Sequence, residues 1–375
     1  MPRVLVVSYH FPPRPGVASA RVGKLVKYLR RLGWEPAVVA GEVDDQEDAD
    51  LLRDVEEIEV TRVRARRGLP SLQRFDWAVA ALPPARRLAR GADVVLVSGG
   101  PFAPFVLGPV LGRPYVLDLR DPWSWEPRFD RLRPGLRRRA GLALEQRAER
   151  TTVTRAAAVT TVGPEIADAY MRAYPSLARR VQVVRHGFDP EDFADQLHER
   201  AGEPTIVHVG TMQRGDRTPE LLVSAAAAVR ERGHSLRVRL VGMLPDELAV
   251  REPWVDVVGR LPRRQAIAEM RKASVLWLQP GHLDFLVTGK VYEYLAARRP
   301  IVAVAPSSGS VAALLRATGG AVFADTDVDS CAEAIEQALA GDVPPLDDAK
   351  LGELAQPGPA RIAVGVLAAA VEHAR

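Results

Sequence analysis

Short apolar runs alternate along the chain with amphipathic helical segments. Near the N-terminus the run RVLVVSY precedes RVGKLVKYLRRLG. The apolar positions of that segment fall on one face of a helix: Val22, Leu25, Val26, Leu29 and Leu32. Because strands and helices alternate in this way, the pattern predicts a parallel sheet covered by helices on both faces.

The pattern occurs twice. One series of strands closes with VQVVRHGFD, and a second begins with PTIVHVGT after the polar, loop-like segment near 190–203. We therefore predict an α/β fold with two Rossmann-like, doubly wound domains facing a cleft. The predicted domains span 1–190 and 204–355. A further amphipathic helix in 356–375 could dock on its own half or cross back to the first.

Composition supports a globular protein of more than one domain. The chain has 375 residues, of which 47% are hydrophobic and 26% charged. No apolar run approaches the ~20 residues that span a bilayer. The single cysteine, Cys331, excludes internal disulfides and cysteine-based zinc clusters. The N-terminus lacks a signal-peptide pattern, so we expect a cytoplasmic protein.

The net charge of +4 is small, but arginine is concentrated in 128–150. This segment is interpreted either as a solvated helix face or as a surface for an anionic substrate or the inner face of a membrane. Nucleic acid is not an expected partner, because no aromatic side chains interleave with these arginines.

Ligands of doubly wound sheets bind beyond the carboxyl ends of the strands, so the loops that follow strands are the candidate sites. The loop SYHFPPRPGVASA follows the first strand and brings Gly16 close to a helix start. Gly16 would let an anion or a sugar approach the backbone, although a structural turn is the alternative. The loop has no GxGxxG pattern, which argues against a nicotinamide cofactor.

A second candidate loop, HVGTMQRGDRTPELL, carries Arg214 and Arg217 ahead of a helix that Thr218 is predicted to cap. Two arginines above a helix start suit a diphosphate, whose charge builds up as it leaves. The alternative is that one of the two is a surface residue.

The third candidate is TGKVYEYLAARRPIVAV. A helix beginning at Thr288 or Gly289 could hold a phosphate on its first N–H groups, with Lys290 adding charge. Glu293 lies about one turn deeper, roughly 5 Å along the axis. That offset matches the distance from a phosphate to the ribose hydroxyls of one nucleotide, and a carboxylate accepts from both hydroxyls of a cis-diol. The alternative is a solvent-facing glutamate.

In the first half, VLDLRDPWSWEP places three charged residues at a strand end: Asp118, Arg120 and Asp121. They are interpreted either as a buried Asp–Arg pair bracing the loop or as side chains that face the reacting sugar or acceptor. The seven histidines show no metal-ligand spacing, so we expect no metal site. We predict that His208 is a satisfied core histidine.

Several of these segments resemble one large family, the retaining GT-B glycosyltransferases of family four. The resemblance covers nearly the whole chain and rests on the order of VVSYHFPPRPG, VVRHGFDPEDF, HVGT and GKVYEYLAARRPIVAV. It implies that Glu293 binds ribose and that Arg217, with Arg214, opposes the diphosphate. Gly210 and Thr211 stand where relatives have a Gly-Arg phosphate loop.

The resemblance also assigns the remaining site residues. Thr288, Gly289 and Lys290 become the loop for the donor phosphate and sugar, and Gly16 the wall against the transferred group. Backbone groups around Arg260 and Leu261 would hold the base.

The activity implied by the resemblance is sugar transfer from a nucleotide-diphosphate donor to an acceptor hydroxyl, with retention and without a cofactor or metal. The first domain is then the acceptor side and the second the donor side. Donors of UDP, GDP, TDP or ADP type fit equally, and the acceptor could be a lipid carrier, a glycan or a small metabolite. The candidate catalytic residues are Arg217, Arg120 and Asp121. The alternatives are a sugar-nucleotide epimerase of the same architecture and a membrane-associated scaffold without activity.

Overall fold

The computed structural model describes the chain except for residues 44–46, 69–71, 125–135, 195–201, 213–216, 245–249, 282–284, 286 and 375. The chain forms two compact units, Met1–Arg185 with Pro359–Arg375 and His186–Gly358. Each unit contains one sheet whose described strands pair in parallel. The predicted α/β class with two doubly wound sheets is therefore confirmed.

The sheet of the first unit has the strand order β3-β2-β1-β4-β5-β6-β7. Its strands are β1 (Arg3–Ser8), β2 (Glu35–Gly41), β3 (Glu59–Val63), β4 (Val94–Ser98), β5 (Tyr115–Leu119), β6 (Ala158–Thr161) and β7 (Val181–Val183). The helices between them are α1 (Val17–Arg31), α2 (Ala49–Leu52), α3 (Phe75–Ala89), α4 (Leu136–Arg155) and α5 (Pro164–Ala173). The central strands are buried along their whole length, as expected of a sheet covered on both faces.

The sheet of the second unit has the order β10-β9-β8-β11-β12-β13. Its strands are β8 (Thr205–Val209), β9 (Arg237–Val241), β10 (Val255–Gly259), β11 (Val275–Leu278), β12 (Ile301–Ala303) and β13 (Ala321–Phe323). Its helices are α6 (Glu220–Glu231), α7 (Arg263–Lys272), α8 (Gly289–Ala297), α9 (Ser310–Thr318), α10 (Val328–Ala340) and α11 (Asp348–Leu354). Successive residues of β8 enter different cores, Ile206 one and Val207 the other, because side chains alternate across a strand.

The last helix, α12 (Gly358–Glu372), belongs to the first unit. Its apolar residues join the core formed by β1 and α1: Ala360, Ala363, Val366, Leu367 and Ala370. The segment 186–190 differs from the predicted boundary, because it belongs to the second unit. Phe188 explains the difference, since its N–H donates to Leu354 (3.1 Å) and its carbonyl accepts from Gln356 (2.8 Å). Among the described helices, none combines the length and apolar character needed to cross a membrane.

A buried ion pair ties the first unit together. Asp118, on β5, accepts from Arg21 of α1 at 2.8 and 3.2 Å, and from Ser98 and Thr160 at 2.9 and 3.0 Å. Arg21 also donates to the carbonyl of Val184 at 3.0 Å. Burial alone would raise the pKa of Asp118, but Arg21 outweighs it and lowers the pKa to about 2. The pair joins α1 to the central strands.

We expect Arg21→Met to lower the free energy of unfolding by about 3–5 kcal/mol, because it leaves Asp118 as a buried carboxylate without its counter-charge. Denaturant unfolding followed by tryptophan fluorescence measures this loss. The control is Arg3→Met, which breaks the exposed pair with Glu35 and should change the free energy of unfolding much less. Equal losses in the two variants would contradict the prediction.

Candidate functional site

The strand order of the second sheet reverses between β8 and β11, where doubly wound folds bind ligands. The loop after β8 starts with Gly210 and the exposed Thr211. Gly210 has φ +139° and Gly242, after β9, has φ +131°. A Cβ atom on Gly242 would collide with the carbonyl of Gly210. Both glycines are therefore needed for the close backbone approach at this edge.

The side chain of Lys290 lies over Gly210. A Cβ atom on Gly210 would collide with the Lys290 ammonium group, so the missing side chain makes room for the charge. The Lys290 Nζ lies 3.3 Å from Nε2 of the buried His208, whose Nδ1 lies 3.2 Å from the carbonyl of Trp277. His208 is a satisfied core histidine, as predicted, but it also supports Lys290.

The protonation states of the two groups follow from their surroundings. Burial, together with the charge of Lys290, holds the pKa of His208 well below its ordinary value, so the imidazole is neutral. Burial and the charge of Arg217 lower the pKa of Lys290, and Glu293 raises it, with a result of about 7. An anion bound here would favour the charged lysine.

Arg217 is half-buried and contributes to this concentration of charge, because it lowers the pKa of both Lys290 and His208. Arg214 lies outside the described residues. The prediction that Thr218 caps the next helix is wrong, because α6 starts at Glu220 with Pro219 as its N-cap. Pro219 fits there because a helix N-terminus does not need its missing N–H.

Helix α8 aims its N-terminus at the same place. Thr288 is its N-cap, and the backbone N–H groups of Gly289 and Lys290 are in the first turn. Four side chains bury the helix against the sheet: Val291, Tyr292, Tyr294 and Leu295. The Tyr294 hydroxyl accepts from the N–H of Val209 at 2.8 Å, which fixes the helix to the end of β8. The predicted helix start is confirmed.

Glu293 leaves the apolar face of α8 and enters a cluster of three charged residues. Its Oε1 accepts from Nη1 of Arg263 at 2.6 Å, and Arg263 donates to Oδ2 of Asp192 at 3.0 and 3.2 Å. The exposed fractions of the three side chains are 19% for Glu293, 18% for Arg263 and 16% for Asp192. The alternative of a solvent-facing Glu293 is therefore excluded.

The two residues predicted to hold a base follow β10. Arg260 is exposed and Leu261 is half-buried against the core that contains Val291. They directly precede Pro262, the N-cap of α7, which starts with Arg263. The candidate residues that follow β10 and those at the start of α7 and α8 thus lie at the carboxyl edge of this sheet. A role for Arg260 and Leu261 in base binding stays a prediction.

In the first unit, the loop after β1 brings Gly16 to the N-terminus of α1. Gly16 is exposed, and its φ of +121° is unfavourable for residues with a Cβ atom. His10 lies in the same loop, half-buried, with three arginines nearby. Burial and the charges of Arg120, Arg14 and Arg74 lower the pKa of His10 to about 4.

Arg120 follows β5, and its guanidinium group is hydrogen-bonded to the loop after β4. Its Nε donates to the Gly99 carbonyl at 2.7 Å and its Nη2 to the Gly100 carbonyl at 2.8 Å. Asp121 is half-buried beside Gly100. The buried carboxylate of this segment is Asp118, and its ion-pair partner is Arg21 rather than Arg120. These contacts favour a bracing role for Arg120, and catalysis by Arg120 or Asp121 stays a prediction.

Two family models match the chain. Glycosyltransferase Family 4 matches residues 18–192, and Glycosyl transferases group 1 matches residues 203–341. The chain belongs to the family-four-like GT-B glycosyltransferases. No curated protein matches this glycosyltransferase chain in sequence.

Solved structures share the fold of this glycosyltransferase. The trehalose 6-phosphate synthase of Burkholderia multivorans superposes with a TM-score of 0.64 at 13% identity, covering 100% of both chains. A Rickettsia africae glycosyltransferase gives a TM-score of 0.61 at 11% identity, covering 100% of this chain and 96% of the other. A candidate UDP-N-acetylglucosamine 2-epimerase of Listeria monocytogenes gives 0.63 at 13% identity, with coverage of 100% and 96%.

Sequence reasoning missed two residues of the glycosyltransferase that the structure brings to strand ends. His10 lies two residues beyond β1, in a loop already selected for Gly16. Arg263 is the first residue of α7, where a cation opposes the helix dipole. That unfavourable placement is a sequence signal for nearby carboxylates, and it could have identified Arg263.

We expect Lys290→Met to raise the melting temperature at pH 6 and to raise it less at pH 9. The folded pKa of Lys290, about 7, lies below the ordinary lysine value, so its contribution to stability increases with pH above 7. At pH 6 the variant removes a buried charge beside Arg217. Differential scanning calorimetry measures the shift. The exposed Lys272→Met should give no pH-dependent change, and an equal shift at both pH values for Lys290→Met would contradict the assignment.

Proposed function

We propose that this enzyme transfers a sugar from a nucleoside-diphosphate donor, bound by the second unit, to an acceptor hydroxyl with retention of configuration. The proposal rests on one observation, which is the arrangement of positive and negative groups along α8. Lys290, Arg217 and free N–H groups lie at its start, and the carboxylate of Glu293 lies one turn further. A diphosphate fits the first group and a ribose diol the second, roughly 5 Å away.

The proposed chemistry places most of the protein's contribution on the leaving group. The bond between the anomeric carbon and the diphosphate oxygen breaks through an oxocarbenium-like state, and the acceptor oxygen bonds to the same face of the sugar. Lys290, Arg217 and the α8 N-terminus stabilise the departing charge. The leaving phosphate oxygen takes the acceptor proton. The cations make a metal unnecessary, so activity should withstand a chelator.

The carboxyl edge of the first sheet, where Gly16 lies, is the proposed acceptor side. A lipid carrier, a glycan or a small metabolite remain the acceptor classes in this proposal. The likeness to the Listeria epimerase candidate supports one second function, epimerisation of a nucleotide sugar. Turnover of the donor without any acceptor would favour epimerisation, and strict dependence on an acceptor would favour transfer.

We expect Glu293→Ala to raise the donor KM about tenfold or more, because buried hydroxyl contacts are lost. Arg217→Ala should lower kcat by about a hundredfold, because its charge acts mainly on the leaving group. Screening UDP, GDP, ADP and TDP by thermal shift selects the nucleotide, and steady-state kinetics with the matching sugar donor measures both effects. The exposed Lys272→Ala is the control, and wild-type kinetics in Glu293→Ala and Arg217→Ala would remove these assignments.

Binding of the selected nucleoside diphosphate should take up protons. Because the free lysine has a pKa of about 7 and the anion stabilises its charged form, affinity should fall as the pH rises above 7. Calorimetry in two buffers of different ionisation enthalpy measures the uptake. Lys290→Arg stays charged throughout and should abolish both the uptake and the pH dependence. Uptake that persists in Lys290→Arg would assign the proton to another group.

A further inference from the structure

We propose that Arg263 is a positioning residue that sets Glu293 for recognition of the ribose diol, and that Asp192 holds Arg263 in place. The inference rests on the proposed function, because it concerns the same nucleotide. Arg263 is not a catalytic residue in this scheme, since its contacts are to the two carboxylates rather than to a reacting atom.

Arg263 contacts the two carboxylates through different nitrogen atoms. Nη1 of Arg263 bonds to Oε1 of Glu293 at 2.6 Å, while its Nε and Nη2 both bond to Oδ2 of Asp192. Two separate edges of the guanidinium are therefore used, which fixes its plane. Within the described part of the chain, no donor contacts Oε2 of Glu293. That oxygen, and the second lone pair of Oε1, can accept from two hydroxyls.

The charge of the cluster suits hydroxyls rather than phosphate. Glu293 and Asp192 together carry two negative charges against the one positive charge of Arg263. The net negative cluster repels a phosphate and accepts from hydroxyl donors, while Lys290 and Arg217 are nearby as the anion site. Charges of opposite sign thus orient a nucleotide along α8 in one direction.

Burial makes the arginine necessary. With 19% of its side chain exposed, Glu293 would lose much of its hydration without gaining an ion pair if Arg263 were absent. A carboxylate that lacks this partner can change rotamer toward water, and that change removes the paired acceptors. Burial lowers the pKa of Arg263, but the two carboxylates outweigh it and raise the pKa above the ordinary value.

A purely structural role for Arg263 would be to attach α7 to the segment 190–193. Arg271 provides that attachment separately, because it donates to the carbonyl of Phe193 from the same helix. Arg271 has no described bond to Glu293, so Arg271→Met is a matched control. It weakens the same attachment and leaves the Glu293 contact intact.

The test is the ratio of affinities for a ribonucleoside diphosphate and its 2′-deoxy form, measured by calorimetry with UDP, GDP and ADP. Wild type should bind the deoxy form of its preferred nucleotide about tenfold more weakly. Arg263→Met should bring this ratio close to one, whereas Arg271→Met should keep it. Arg263→Lys reaches one carboxylate at a time and should give an intermediate ratio, which provides a second measurement if the methionine variant does not fold.

A double-mutant cycle separates positioning from other effects. If Arg263 acts through Glu293, then Arg263→Met should not change the ratio further in a Glu293→Gln background. A ratio that survives Arg263→Met, or tighter ribonucleotide binding in that variant, would overturn the inference while leaving the proposed function intact. Failure of wild type to bind any of UDP, GDP, ADP and TDP would instead overturn the proposed function, and a preference for TDP, which lacks the 2′-hydroxyl, would overturn the inference alone.

Discussion

The burial of Lys290, together with the like charge of Arg217, is the constraint on which the candidate donor site depends. Both side chains are half-buried at the end of β8, and the ammonium group loses hydration as well as facing a like charge. The fold keeps them there because His208 accepts from Lys290 and Gly210 leaves room above the strand. Such an arrangement is least favourable when it is empty of anions. If a diphosphate binds here as proposed, it neutralises these charges and stabilises the unit.

The burial of α8 supplies the rigidity that this arrangement needs. Its aromatic and aliphatic face is fully buried, and Tyr294 bonds directly to the strand that carries His208. The helix therefore presents Lys290 and Glu293 at fixed positions, with opposite charges about one turn apart. A rigid helix preserves this separation. The proposed direction of the nucleotide follows from these opposite charges.

The sequence predicts the sheets and the start of α8 well, because these depend on apolar periodicity and helix-capping residues. Strand ends also identify Gly210, Lys290 and Glu293, since parallel strands deliver their loops to one edge. Side-chain partners that lie far apart in the sequence could not be predicted in this way. Asp118 could have paired with the nearby Arg120, yet it pairs with Arg21 of α1, 97 positions away. Arg263 bonds to Glu293, which is 30 positions away in the sequence. The local sequence pattern does not predict which residues of α7 and α8 face each other.

Two titratable residues of the first unit can be compared with the leaving phosphate as bases for the proposed transfer. Asp118 is a poor base, because the charges of Arg21 and Arg120 and the hydrogen bonds from Arg21 and Ser98 outweigh its burial and lower its pKa to about 2. His10 is neutral, but burial and the surrounding arginines oppose its protonation and lower its pKa to about 4. The leaving phosphate oxygen, with an ordinary pKa of about 6, is a better acceptor than either. In the proposed transfer, Lys290 and Arg217 favour departure of that oxygen, so the two cations proposed to bind the donor would also release the base that takes the acceptor proton.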